Sequence, residues 1–419
     1  MKNLPAWLTH LEALHPEKIE LGLERVKAVA SELNLDFTSK TVISIAGTNG
    51  KGSTSRFLLS LLQAAGKSTG LYSSPHLLKY NERVSVNGTD VDDLMLCRAF
   101  SQIEQARKEI SLSYFEFSTL AALLIFSESE LDFIILEVGL GGRLDAVNII
   151  DADVTIITNI ALDHTEWLGD TRGEIAFEKA GIIREGRAVI FGEGDMPESL
   201  EQQIGEKGAK LYQIGKDFTS YVSNSQWLWR GQDVKQNGCS YEIRIPDVSL
   251  LGFFPLNAAM ALQAFVLLNV GLSEKMIEGA YSQTTLKGRF QVEDRGYTLV
   301  LDVAHNPHAA SYLSKNIKCH FPDQDVHIVL GMLSNKDIQN TLVALQNISN
   351  CWYVANLKNS GGSEAKMLYN KLQIYSQNGV AMFNSVQEAF LEAEQHLQVN
   401  DVLLVTGSFY TVADVLEMI

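Results

Sequence analysis

The chain has 419 residues, 46% hydrophobic and 20% charged, with 34 Lys and Arg against 50 Asp and Glu for a formal charge of −16. This composition suits a folded protein of two or three domains and excludes disorder. The acidic balance argues against nucleic acid and anionic membrane as partners, so an anionic ligand must be met by local cations or metal ions.

Along the chain, residues 1–26 are broken by His, Glu and Lys and hold no signal-type apolar run. No stretch approaches the ~18 apolar residues of a membrane helix. Cysteines at 97, 239, 319 and 351 have neither zinc-site spacing nor a disulfide framework. These features predict a cytoplasmic protein. Short apolar runs then recur, each with a helical pattern beside it. Residues 41–46 predict a strand and 51–65 the helix after it. An amphipathic stretch over 115–127 precedes a strand over 132–138. Strands over 153–160 and 187–191 flank a helix over 174–180. Such continuous Val, Ile and Leu runs suit parallel strands covered by helices on both faces. Residues 217–246 alternate, carry Asn237-Gly238, and predict antiparallel hairpins beside the main sheet. Helices over 255–270 and 273–283 lead into a second series, with strands over 297–303, 326–330, 352–355 and 402–406 and a last helix over 411–418. The expected division is 1–288 and 289–419, two α/β domains of the kind that bind ligand in the cleft between them.

Gly47-Thr48-Asn49-Gly50-Lys51-Gly52-Ser53-Thr54 lies between a predicted strand and helix. Glycines let successive N–H groups turn toward a phosphate, the lysine supplies a mobile cation, and a hydroxyl can bind Mg²⁺. The spacing is shorter than G-x-x-x-x-G-K-[ST] and has an extra glycine after the lysine. A glycine-rich helix start is the plain alternative. The loop says nucleotide, and it does not say which reaction.

Glu137 ends a predicted strand, where open α/β sheets bind ligands, and could hold Mg²⁺. His164 ends the next, with Asp163 and Glu166 beside it. Because Mg²⁺ prefers oxygen, an imidazole ligand would favour a site that tolerates Mn²⁺. Lys179, in 174–180, reads by default as a helix lysine paired with Glu174 or Glu178.

The runs 47–54 (GTNGKGST), 73–84 (SSPHLLKYNERV), 137–148 (EVGLGGRLDAVN), 161–169 (ALDHTEWLG), 178–184 (EKAGIIR), 288–291 (GRFQ), 301–309 (LDVAHNPHA), 331–337 (GMLSNKD) and 406–416 (TGSFYTVADVL) resemble the bifunctional dihydrofolate synthase/folylpolyglutamate synthases of the Mur ligase superfamily. The resemblance covers nearly the whole chain from about residue 11. The phosphate loop and the His-Asn-Pro run are shared across the superfamily, whereas Ser-Pro-His and Gly-Leu-Gly-Gly-Arg-Leu-Asp-Ala are much more specific to folate ligases. It implies a Mur-ligase-like fold, with a P-loop ATPase domain on a parallel sheet and a C-terminal Rossmann-like α/β domain. It also implies ATP-dependent ligation of L-glutamate to dihydropteroate and to reduced folates. An acyl phosphate supplies the leaving group that a carboxylate lacks, and Mg²⁺, Lys and backbone amides screen the charge.

By the same resemblance Thr48, Asn49, Gly50, Lys51, Gly52 and Ser53 cradle the phosphates, and Asn257, Arg289 and Asp302 contact ATP. Arg289 and Asp302 are expected on either side of the hinge, so that ATP favours closure. Ser74, Glu137 and His164 match the metal ligands, holding two ions, and Lys179 matches a lysine carbamylated in the superfamily. His305 falls on the glutamate side, with an N-cap role for Asn306 as the plain alternative. Ser113, Tyr114, Phe115, Glu116, Leu144, Asp145 and Ala146 resemble the dihydropteroate pocket, closed over by Ile19, Glu20 and Leu21. The aromatics would pack on a flat ring and a carboxylate would pair with its amino edge; plain core packing is the alternative for Phe115. Lys287 stands where relatives often have proline. A monomer is the family habit. Two other readings are a Mur-type ligase acting on another carboxylate and a nucleotide-dependent switch. The first is disfavoured because about 46 residues before Gly47 leave no room for another ordinary domain.

Overall fold

The apolar runs of the first two-thirds of the chain become strands with almost every residue buried. β1 (Thr41–Ala46), β2 (Thr69–Tyr72), β3 (Val84–Val86), β4 (Thr89–Asp90), β5 (Phe133–Glu137), β6 (Val154–Ile157), β7 (Ala188–Phe191) and β8 (Lys210–Gln213) form one sheet in the order β4-β3-β2-β5-β1-β6-β7-β8. From β2 to β8 every pairing is parallel, and β3 and β4 add an antiparallel edge. Helices must cover both faces of such a sheet. On one face Tyr114–Glu128 brings Phe117, Leu120 and Leu124 against Trp7, Val26 and Phe100 of three further helices. Elsewhere Arg172–Ala180 and Glu198–Glu206 bury Ile175, Ala176, Leu200 and Ile204 with Val189 and Phe191 of β7.

The structure, a computed structural model, describes residues 2–15, 19–233, 239–245, 247, 254–271, 273–358, 361–375 and 379–419. Its contacts divide between Thr284 and Thr285 into two units, ahead of the 288/289 boundary expected from sequence. No described helix is long and apolar enough to cross a membrane. The alternating stretch forms β9 (Thr219–Ser223), β10 (Gln226–Asp233) and β11 (Cys239–Ile245), an antiparallel sheet in the order β11-β10-β9. Trp227 and Trp229 fall two apart on one face of β10 and are fully buried, while Arg230 is exposed. The expected Asn237-Gly238 turn lies outside the described residues. The second unit has β12 (Gln291–Asp294), β13 (Thr298–Leu301), β14 (Val326–Leu330), β15 (Cys351–Ala355), β16 (Gly379–Phe383) and β17 (Val402–Thr406), in the order β12-β13-β17-β14-β15-β16. All its pairs are parallel except β12 with β13.

Pairing brings the chemistry of the first unit to one edge. Ile45 lies opposite Glu137, Ala46 opposite Ile157, and Tyr72 opposite Leu136. The segments leaving β1, β2, β5 and β6 therefore emerge together, at the carboxyl ends where the chain leaves β1 for β2 on one side and leaves β5 for β6 on the other. Open α/β sheets bind ligands at such a point.

Candidate active site

The loop leaving β1 is shaped by its neighbours. Gly47 has φ +147°, and a Cβ there would lie 1.8 Å from Thr158 Oγ1. Thr158 Oγ1 and Asn159 Nδ2 donate to Asn49 O at 2.6 and 2.8 Å, and Asn49 N donates to Asn159 Oδ1 at 2.9 Å. Thr48 N donates to Asn159 O at 3.0 Å, and Thr48 Oγ1 donates to Ala161 O at 3.1 Å. The end of β6 thus clamps the loop from below. Gly50, at φ +84°, opens the helix Lys51–Ala64, and a Cβ there would meet Asn257 Oδ1 at 2.7 Å. Asn257, buried near the start of Pro255–Leu268, consequently sits against the loop. Lys51 Nζ donates back to Gly47 O at 2.9 Å and Thr48 O at 3.3 Å. Here the sequence missed Thr158 and Asn159, although Thr-Asn straight after an apolar run was a usable signal.

Ser53 Oγ and Thr54 Oγ1 are buried at the start of that helix, without a hydrogen-bond partner among the described residues. Glu137 is buried at the end of β5 and accepts from Ser74 N at 3.3 Å. His164 caps the short helix Thr165–Leu168 at φ +52°, a left-handed position that histidine enters more readily than most residues. No group of three His, Cys, Asp or Glu among the described residues could hold a metal by itself. One carboxylate, a few hydroxyls and an imidazole fit a divalent ion carried in on phosphates, as Mg²⁺ is usually bound.

Lys179 pairs with neither glutamate suggested by its helix. Glu174 accepts from Asp170 N, Thr171 N and Thr171 Oγ1, and Glu178 pairs with Arg143 at 2.8 Å. Lys179 is 3% exposed, and burial, reinforced by the charge of Lys51, pushes its pKa down to about 7.

A cavity of about 270 Å³ opens beside these groups. Its wall brings together Ile19, Glu20, Leu21, Ser113, Phe115, Glu116, Leu144, Asp145 and Ala146 with Ser74 and His164. Tyr114 is not in that wall; its ring lies 6.1 Å from Tyr80 and 5.5 Å from the Arg83 guanidinium. Ser113 and Glu116 form a capping box at the start of Tyr114–Glu128, which fixes both side chains. Arg25 pairs with Glu20, and its terminal nitrogen lies 3.2 Å from Glu116 Oε1 without hydrogen-bond alignment. His15 Nε2 lies 2.7 Å from Glu20 Oε2. Asp145 accepts from Leu140 N at 2.8 Å and Val147 N at 3.0 Å. Burial lifts its pKa to about 6 against those bonds. The sequence missed Gly22, Pro75, Arg83, Gly139 and Leu140 of the wall. Arg83, a charge directly before the apolar strand start at Val84 and inside the run 73–84, was the one with a signal.

In the second unit Asp302 follows β13 and accepts from Phe290 N and Ala304 N, both at 2.8 Å. Burial lifts its pKa to about 6, opposed by those bonds and by Arg289. Arg289 lies 5.8 Å from the Phe409 ring. Arg289 and Asp302 both belong to this unit, which corrects their expected placement on either side of the hinge. Two residues after Gly288, at φ +63°, Phe290 holds φ +44°, a region that costs a bulky side chain strain. His305 Nδ1 lies 2.9 Å from Val303 O. Asn306 caps Pro307–His320 by accepting from Ala309 N, as the plain alternative had it.

Comparison with known proteins gives a consistent result. A family model described as the Mur ligase middle domain matches residues 45–265, and one described as the Mur ligase, glutamate ligase domain matches residues 288–409. The chain is 43% identical over 416 residues to the dihydrofolate synthase/folylpolyglutamate synthase of Escherichia coli (strain K12), covering 99% of this chain and 95% of that protein. A solved structure of E. coli FolC in complex with DHPP and ADP superposes with a TM-score of 0.91 at 42% identity, over 100% of this chain and 97% of that one. A bifunctional folylpolyglutamate synthase/dihydrofolate synthase with Mn, AMPPNP and L-glutamate bound gives 0.90 at 43% identity, over 100% and 98%.

Proposed function

The chain belongs to the dihydrofolate synthase/folylpolyglutamate synthases of the Mur ligase family, and on that premise we infer that it is an ATP-dependent ligase of glutamate to folates. It joins L-glutamate to dihydropteroate, giving dihydrofolate, and to reduced folates, giving folylpolyglutamates. The observation that carries this reading is the cavity wall. The same wall holds Phe115, Glu116 and Asp145, suited to a flat heterocycle with an amino edge, and Ser74 and His164, suited to a metal on phosphates.

The reaction needs an oxygen of the substrate carboxylate to attack the γ-phosphorus as ADP leaves. The glutamate amine then attacks the acyl carbon, losing a proton as phosphate departs. Both steps gather negative charge, so the chain's task is to hold the partners in line and offset that charge. Thr48, Asn49, Gly50, Gly52 and Ser53 are assigned to the β- and γ-phosphates: Gly50, Gly52 and Ser53 offer N–H groups at a helix N-terminus, and Thr48 and Asn49, whose N–H groups bond to Asn159, hold the loop in shape. Lys51 adds a cation above them. A divalent ion, Mg²⁺ with Mn²⁺ tolerated, would supply charge neutralisation of the phosphates when bound. Ser74, Glu137 and His164 would hold it, with two ions as the fuller version, and the orphaned hydroxyls of Ser53 and Thr54 support a ligand at this place. Arg289, Asp302 and Asn257 are assigned to ATP, and His305 to the glutamate side.

Lys179 is assigned as carbamylated. Its neutral amine and CO₂ give a carbamate and a proton, turning a buried cation into an anion acceptable beside metal ions. Its burial without an ion pair to Glu174 or Glu178 of its own helix supports this assignment. The 1–288 and 289–419 assignment to pterin and ATP on one side and glutamate ligation on the other belongs to the same reading. So do a monomeric state and a cytoplasmic setting, the latter supported by the free thiols of Cys97, Cys319 and Cys351.

The test is ADP release. With ATP and Mg²⁺, turnover should require both dihydropteroate, or a reduced folate, and L-glutamate. ATP hydrolysis indifferent to both would sink the ligase reading in favour of a nucleotide switch.

A further inference from the structure

We propose that Arg83 grips the carboxylate of the acid substrate before phosphate transfer. The proposal rests on the ligase reading above and assigns one contact within it.

The cavity wall carries three carboxylates, Glu20, Glu116 and Asp145, against one permanent cation among the described residues, Arg83. An acid entering such a wall is repelled unless a cation inside meets it. The three carboxylates are already engaged: Glu20 with His15 and Arg25, Glu116 with Ser113 N and Arg25, Asp145 with two backbone N–H groups. Among the described residues none of them forms an ion pair with Arg83. An arginine only 8% exposed, with no ion pair among the described residues, is costly, and a ligand anion removes that cost.

The side chain is also held still. Its Nε donates to His76 Nδ1 at 2.8 Å, and its guanidinium carbon lies 5.6 Å from the Tyr80 ring and 5.5 Å from the Tyr114 ring. These contacts fix the plane and leave the two terminal nitrogens for a planar, two-oxygen acceptor. They also give Tyr114 a role behind the wall, supporting Arg83. The backbone places this cation toward the phosphate-transfer end. Ser73 N donates to Arg83 O at 2.9 Å, and Tyr72 pairs with Val84, so Arg83 runs beside the residue before Ser74. The other partner open to a guanidinium in this wall is the neutral oxo group of the ring, which the experiment distinguishes.

The experiment is equilibrium binding of pteroate and of its carboxamide to the full chain, as wild type, Arg83→Met and Arg83→Lys. Wild type should prefer the acid by about 10- to 150-fold, the worth of a charged hydrogen bond. In Arg83→Met that preference should collapse to a few-fold, and Arg83→Lys should restore part of it. In turnover the KM for dihydropteroate should rise while that for ATP stays unchanged. Equal binding of acid and carboxamide by wild type overturns the proposal. So does a full preference kept by Arg83→Met, or an equal loss of both ligands, which would assign Arg83 to the oxo group or to packing. If Arg83→Met does not fold, the wild-type comparison and Arg83→Lys decide the matter. Dihydropteroate turnover by wild type separates the two claims: without it the ligase reading itself fails, and with it only the Arg83 contact is at stake.

Discussion

Lys179 and Asp145 show what single residues demand of this site. Lys179 titrates near pH 7 folded against 10.5 ordinarily, so in CO₂-free buffer the unfolded chain binds more protons between those values. Stability from this residue therefore rises with pH across that window and is lowest below it. Lys179→Met should unfold at higher temperature than wild type at pH 6.5, and the gap should narrow by pH 9. A gap that widens instead would contradict the burial argument. The same variant should lose ligation, and Lys179→Ala should regain part of it with a small carboxylic acid added; no regain would count against carbamylation. Asp145→Ala should reduce dihydrofolate synthesis about 10- to 150-fold, if its bond to the pterin edge is made in the transition state. It should reduce glutamate addition to an existing folate less. Equal losses would point to one shared pocket, and a loss confined to ATP affinity would move Asp145 to the metal centre. The sequence could name these residues only through the runs 137–148 and 178–184 that carry the family resemblance; by itself Lys179 read as an ordinary helix lysine. It could not show that Asp145 also braces 139–147 through Leu140 N and Val147 N, because those bonds depend on the folded loop.

The phosphate loop works as an element, and its glycines test it as one. Gly50→Ala adds to its left-handed φ a clash against Asn257 that must shift the loop from its phosphate-binding shape, and should raise the ATP KM by roughly tenfold, or ~1.4 kcal/mol. Gly66→Ala, at φ +72° with nothing within 4 Å, carries similar strain without the contact and should leave KM unchanged. Similar KM values for the two variants would remove the contact with Asn257 from the account. Lys51→Ala should abolish ligation while the chain stays folded, and a non-hydrolysable ATP analogue should then no longer raise its melting temperature. Strands such as β1, β5 and β14 were legible because a buried parallel strand is an unbroken apolar run. Thr69–Tyr72 was not: TGLY has no run long enough, and its burial comes from β5 and the helix beyond it. The exposed β16 was missed for the opposite reason, being an edge strand with little to hide.

At the scale of the whole molecule, the sequence read two α/β units correctly in kind because each repeats the alternation of apolar run and helix. It set the boundary at 288/289 and read Arg289 and Asp302 as flanking the hinge, since a glycine-marked connection looks alike on either side of a boundary that packing decides. The cavity was legible only through the resemblance, which named Ile19, Phe115 and Asp145 but not Arg83. Ile19 to Gly22, Arg83, Phe115 and Asp145 are far apart in the chain, and the sheet order brings them together. A net charge of −16 around an acid-binding cavity is consistent only if local cations and a metal-bearing nucleotide draw the substrate in, so the initial rate at sub-saturating acid should fall as salt rises. The central claim, ligation through an acyl phosphate, is tested most directly by isotope transfer. Dihydropteroate labelled with ¹⁸O in its carboxylate is turned over with ATP and L-glutamate, and the released phosphate is weighed by mass spectrometry. An acyl phosphate intermediate places one ¹⁸O in each phosphate formed. Phosphate released without the label, with dihydrofolate produced, would contradict it.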